Sequence, residues 1–144
     1  MRVLGVDVGA RRVGLAISDR SRTLARPLAT VAVSSARDAV RRVADTIAQL
    51  SAEDDGLTTV VVGLPSRLDG SPTDQTAQVS AFIEALRVAT ANTGVTITTE
   101  DERLTSREAE SRLAVGERDW RRRKQKLDAA AAAIFLQDYL DRSG

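Results

Sequence analysis

Arg2-Val3-Leu4-Gly5-Val6-Asp7-Val8-Gly9 is an apolar strand that closes on a carboxylate, and its reading decides the fold. Alternation puts Leu4, Val6 and Val8 on one face of the strand and Val3, Gly5 and Asp7 on the other. An ionised group leaves water only when paired or metal-bound, and the nearest cations along the chain are Arg11 and Arg12. A functional carboxylate is therefore the better reading of Asp7 than a purely structural ion pair.

Working outward, Ala10-Arg11 reads as a turn, and Arg12 to Ser18 alternates Val13, Leu15 and Ile17 with small residues, which makes a hairpin with the first strand. A third extended stretch, about Leu24 to Val33, contains Pro27 and suits an edge strand, where a missing N–H costs no ladder bond. Ser35 with Asp38 three residues on marks a helix start, and Val40, Val43, Ile47 and Leu50 recur at helical spacing. Thr58 to Leu64 carries Val60-Val61-Val62, the continuous run of a strand buried on both faces, so it is expected to be central and parallel to the first. A second helix from about Thr73 presents Val79, Phe82, Ile83 and Leu86, and Val95 to Thr99 is a further short strand. Thr105 and Glu108 form a capping box for a helix that stops near Gly116, and the last helix runs from about Leu127 to Leu140 around the five alanines Ala129 to Ala133. Three strands, helix, strand, helix, strand, helix, helix is the order of an RNase H-like α/β fold. It comprises a mixed five-stranded sheet, three antiparallel strands and then parallel strands through helical crossovers, with helices on both faces.

The 144 residues fit one domain spanning 1–144, and no internal repeat or low-complexity linker divides them. The composition, 42% hydrophobic and 28% charged, is that of a globular chain, and no apolar run approaches the roughly 20 residues of a membrane span. With a strand rather than a signal peptide at the amino terminus, a cytoplasmic address is expected. A net charge of +1 gives no overall basic signature, so any case for nucleic acid must come from local clusters. Histidine and cysteine are both absent. That excludes a Ser-His-Asp triad, a Cys-His pair, a zinc finger and an imidazole base, and leaves carboxylates, lysines, hydroxyls or a metal held by oxygen.

Three acidic groups stand at the ends of three elements: Asp7 at the carboxyl end of the first strand, Glu100-Asp101-Glu102 after the last strand, and Asp128 at the start of the terminal helix. Ligands of open α/β sheets bind at the carboxyl ends of strands. Magnesium or manganese takes oxygen ligands and keeps several waters, and a pair of such ions activates water for phosphoryl transfer without a histidine. Taken singly, Asp128 reads as a helix cap or first-turn acid and Glu100 to Glu102 as a solvated turn. Asp7-Val8-Gly9 with Gly14 is also compatible with the phosphate hairpin of actin-like and sugar-kinase ATPases. Those folds use two duplicated lobes, for which an unrepeated chain of this length has no room.

The whole chain resembles the YqgF/RuvX family of RNase H-like nucleases. The resemblance is carried by Gly5-Val6-Asp7-Val8-Gly9 with Arg12-Val13-Gly14-Leu15-Ala16, by Val62-Gly63-Leu64-Pro65 with Gly70, by Asp101-Glu102-Arg103-Leu104-Thr105, and by Asp128-Ala129-Ala130-Ala131. It implies a nuclease assigned to maturation of the small-subunit ribosomal RNA precursor and earlier to resolving Holliday junctions. It also implies that Asp7, an acid of the Asp101-Glu102 pair, and Asp128 form the metal-binding set. The central fourth strand, ending Gly63-Leu64-Pro65, offers no acid. Alternation groups Asp101 with Val95, Ile97 and Thr99, which favours Asp101, whereas Glu102 has the opposite phase and the longer reach.

Arg121, Arg122, Arg123, Lys124 and Lys126 put five cations in six positions, with Trp120 at their edge. The bland reading is a solvated loop. Beside an acidic metal site the run would hold phosphates while Trp120 stacks on an unpaired base. Arg11, Arg12, Arg20 and Arg22 flank the first hairpin and extend the same surface, and Arg103 orders the acidic turn. The expected protein is a magnesium- or manganese-dependent nuclease on structured nucleic acid, foremost the ribosomal RNA precursor. It would act as a monomer or homodimer, and a junction resolvase would need the dimer. A non-catalytic RNA-binding module is the rival from another class.

Overall fold

The computed structural model describes residues 1–65, 74–101 and 120–143, with the backbone alone described at 74 and 120–128. Five strands form one sheet: β1 (Arg2–Val8), β2 (Arg12–Ser18), β3 (Ala25–Ala32), β4 (Leu57–Leu64) and β5 (Thr96–Asp101). Their order across the sheet is β3-β2-β1-β4-β5, with the first three antiparallel and β4 and β5 parallel to β1. Pro27 lies on the edge strand β3, as its missing donor requires. Val60, Val61 and Val62 are fully buried in the strand next to β1, as the apolar run of a two-sided strand predicts.

Helices α1 (Ala36–Ala52) and α2 (Asp74–Ala89) cover one face. Ala39, Val43, Ile47 and Leu50 of α1 and Val79, Phe82, Ile83 and Leu86 of α2 pack there on Leu4, Val6, Val60, Val62 and Ile97. The start of α1 follows its sequence signal: Ser35 Oγ accepts from the Asp38 amide at 3.0 Å, a cap worth about 1 kcal/mol. At the far end the Leu50 carbonyl accepts from the Glu53 amide at 3.2 Å and also from the Arg2 guanidinium at 3.3 Å, which tie down the last turn.

The opposite face belongs to α3 (Trp120–Ser143), whose Ala132, Phe135, Leu136 and Leu140 pack on Val3, Ala16 and Val61. Truncating the fully buried Phe135 to alanine would cost about 3–5 kcal/mol. This helix begins seven residues before Leu127, the start expected from sequence. Nothing between Trp120 and the alanine run is proline or glycine, and Arg, Lys, Gln and Leu are strong helix formers, so the helix nucleated by the alanines extends backward through the basic run. That extension prevails although cations near a helix amino terminus oppose its dipole. The capping box Thr105/Glu108 and the helix it would open lie outside the described residues.

Candidate metal and nucleic-acid site

The β1–β2 hairpin places Asp7. Gly9 N donates to the Arg12 carbonyl at 2.8 Å, and a Cβ at Gly9 would lie 2.7 Å from that same oxygen, so only glycine closes the turn this tightly. Asp7 then pairs with Gly14 across β2 and is half-buried. On its other side the β1–β4 register runs through Val6 and Val62, and one residue further brings Gly63 beside Asp7. The carboxylate is thus bordered on both neighbouring strands by residues without side chains. A half-buried carboxylate is an oxygen donor of the kind a hydrated, hard divalent cation takes.

Asp7 shares its face with Val3, which is packed under α3. Asp128 is the ninth residue of α3, inside the helix and one turn before Ala132. The cap or first-turn reading of Asp128 therefore fails, because the first turn of the helix is at Trp120 to Arg123. A helix-end electrostatic preference no longer explains an acid there.

Register separates the acids of β5. Asp101 pairs with Leu64, which packs on the α1–α2 side together with Ile97, and it is exposed. Glu100 pairs with Gly63, and its neighbour in phase, Thr98, pairs with Val61 on the α3 side. Alternation, which favours Asp101 in the sequence, groups residues by face without saying which face carries Asp7; by register Asp101 is on the other one. Glu102 and Arg103 lie outside the described residues. Among the described residues no group of three acids could hold a metal ion.

Glu100, which sequence reading leaves in a solvated turn, is buried at 6% exposure and accepts from the Arg142 guanidinium. The signal available for it was the strand period, which continues through Thr96, Thr98 and Glu100. Arg11 and Arg12 sit in and after the hairpin turn, at the same end of the sheet as Asp7; Arg11 is exposed and Arg12 half-buried. Arg20 and Arg22 do not join them. They follow Ser18, and antiparallel pairing of Leu4 with Ile17 puts that end of β2 at the beginning of β1. Arg20 there pairs with Asp55 at 3.4 Å. Trp120, Arg121, Arg122, Arg123, Lys124 and Lys126 occupy the first two turns of α3, so the loop reading of this run is replaced by a helical one. Their cations recur along a helix that leads directly to Asp128.

A family model described as "RuvX: Holliday junction resolvase" matches residues 1–142. A protein of Salinibacter ruber named "Putative pre-16S rRNA nuclease" is 38% identical, over 99% of this chain and 94% of its own length. One of the same name in Chloroflexus aggregans is 40% identical, over 96% and 92%. Among solved structures, RuvC of T. thermophilus in complex with a Holliday junction substrate superposes with a TM-score of 0.57 at 21% identity, covering 100% of this chain and 96% of that one. That likeness establishes a RuvC-like RNase H fold, in accord with the order of elements read from the sequence. With relatives of this identity over nearly the whole chain and a family match to residues 1–142, the chain belongs to the RuvX family.

Proposed function

We propose that this chain is a divalent-metal-dependent nuclease that hydrolyses phosphodiester bonds in the 16S ribosomal RNA precursor, in the cytoplasm. The observation that carries the reading is Asp7, a half-buried carboxylate at the carboxyl end of β1, bordered by Gly14 and Gly63 on the face covered by the helix of Asp128. The names of the relatives supply the substrate class. Asp7 and Asp128 would hold the ion, together with an acid that follows β5. For that acid the β5 register counts against Asp101, which lies on the face of Ile97 and Leu64, and so leaves Glu102 as the proposed ligand. Magnesium or manganese would supply Lewis-acid stabilisation of the phosphoryl oxygens and an activated water.

The chain's own groups do the rest. Arg11 and Arg12 at the hairpin end, and Arg121, Arg122, Arg123, Lys124 and Lys126 on α3, hold the phosphates on the two approaches to Asp7, with Trp120 stacking on an unpaired base. The deciding experiment compares cleavage of a precursor RNA and of a four-way DNA junction at equal ionic strength, with Asp7→Asn as control. The reading expects RNA cleavage that Asp7→Asn reduces to background while the melting temperature is kept. Preferential cleavage of the junction would transfer the reading to a resolvase, and undiminished cleavage by Asp7→Asn would remove the site.

A further inference from the structure

We propose that Gly5 is a positioning residue that sets the metal preference of the site, by fixing how closely α3 approaches β1; this rests on the assignment of Asp7 and Asp128 as ligands. A Cβ at Gly5 would lie 3.1 Å from Leu136 Cβ, 3.2 Å from the Ala132 carbonyl oxygen and 3.4 Å from Leu136 Cδ2. The two nearest atoms belong to the helix backbone or its first side-chain carbon, so the strain cannot be absorbed by swinging a flexible side chain. The helix itself must yield by a few tenths of an ångström.

The direction of α3 makes that displacement matter. Val3 and Thr59 line a small cavity with Tyr139, Leu140 and Ser143, whereas Gly5, two residues on, meets Ala132 and Leu136. The helix therefore runs antiparallel to β1. Moving up the strand from Gly5 to Asp7 corresponds to moving back along α3 from Ala132 to Asp128. Asp7 lies about 6.6 Å beyond Gly5 along the strand and Asp128 about 6 Å before Ala132 along the helix. Both acids are one step from the glycine contact and on the same side of it. Widening the contact widens the gap between their backbones.

Magnesium is the ion that would register this change. It demands a near-ideal octahedron at about 2.0–2.1 Å, whereas calcium accepts six to eight oxygens at about 2.3–2.6 Å in flexible geometry. The native spacing, which requires a glycine at position 5, selects the smaller ion. A purely structural role for Gly5 would lower stability and leave the relative affinity for the two ions alone.

The test measures magnesium and calcium dissociation constants by calorimetry on the whole protein, native and Gly5→Ala. The expected result is a rise of at least about tenfold in the ratio of the magnesium to the calcium constant, with magnesium-supported kcat reduced and KM for RNA unchanged. A ratio within threefold of native in folded Gly5→Ala overturns the inference. If that variant does not fold, Gly5→Ala combined with Leu136→Met decides: the unbranched side chain relieves the Cδ2 contact at nearly the same volume, while the Cβ at position 136 and the Ala132 carbonyl still push α3 outward, so the ratio should rise as in Gly5→Ala, and an unmoved ratio overturns the inference equally. Asp128→Ala separates the two levels. Intact magnesium binding there would bring down the ligand assignment and this inference with it, whereas abolished binding there with an unmoved Gly5→Ala ratio overturns the role of Gly5 alone.

Discussion

Arg142, in the last turn of α3, donates to Glu100 on the edge strand β5, joining two residues 42 positions apart. Glu100 is buried and Arg142 is largely exposed, so the pair neutralises a carboxylate that the sheet has already taken out of water. The proximity of Glu100 in turn holds the guanidinium above its usual value, chiefly through the hydrogen bond between them.

Arg142→Ala should therefore destabilise the protein most at neutral and alkaline pH. Without its partner Glu100 would be a carboxylate held out of water with no cation to neutralise it, and an uncompensated buried charge is costly wherever it stays ionised. The deficit in melting temperature against native should shrink on acidification from pH 8 to pH 5. Glu100→Gln, which buries no charge, should show no such slope, and parallel curves for native and Arg142→Ala would mean the pair is energetically idle.

Asp38 governs the acid limb of stability. Its carboxylate accepts from Arg41 at 2.8 Å, from the Ser34 amide at 2.8 Å and from Arg42 at 3.1 Å. The Arg41 hydrogen bond first, then the Ser34 amide, hold its pKa well below the usual carboxylate range. A depressed acid contributes stability that is complete above the unfolded value, about 3.9, and is lost as pH falls towards the folded one. Asp38→Asn should lower the melting temperature at pH 7 and flatten its fall below about pH 4; equal acid slopes in the two proteins would contradict the network.

Magnesium or manganese should raise the melting temperature by binding the native state, by about 2.7 kcal/mol of stability at a hundred times the dissociation constant. Asp128→Ala should shrink that gain, measured by thermal melts with and without the ion. A full metal response in the variant would show that the interior acid of α3 is no ligand.

Neutralising Arg121, Arg122, Arg123 and Lys124 should weaken RNA binding and flatten its dependence on salt, by roughly 0.7–0.9 in the log–log slope for each phosphate no longer neutralised. Turnover at saturating substrate should survive, because in the proposed site the ions and their carboxylates, not these cations, would lower the chemical barrier. Binding that matches native at every ionic strength would leave the run as a solvated helix face. The helix should persist either way, provided the replacements are good helix formers such as glutamine.

The described elements and their order are legible in the sequence because each depends on local periodicity. Alternation defines the β1–β2 hairpin, the triple valine marks β4 as a strand between neighbours, and Ser35 announces α1. Asp7 stands out for the same reason, as a charge in a stretch whose other members must be buried. The faces and ends were decided by tertiary structure. Whether Asp101 or the Glu100 phase looks towards Asp7 depends on which side of the sheet α3 covers, and that follows from cross-strand register, which no single strand encodes. Arg20 and Arg22 belong to the opposite end from Arg11 and Arg12 because antiparallel pairing sends β2 back down the sheet. The sequence places the start of α3 too late, at Leu127, since a basic run looks like solvated loop until an adjoining alanine helix, held down by the sheet, propagates through it. Gly5 reads locally as a weak point in a strand. Only the packing of Ala132 and Leu136 over it reveals a spacing, because a distance between two segments more than 120 residues apart is set by the atoms that meet there.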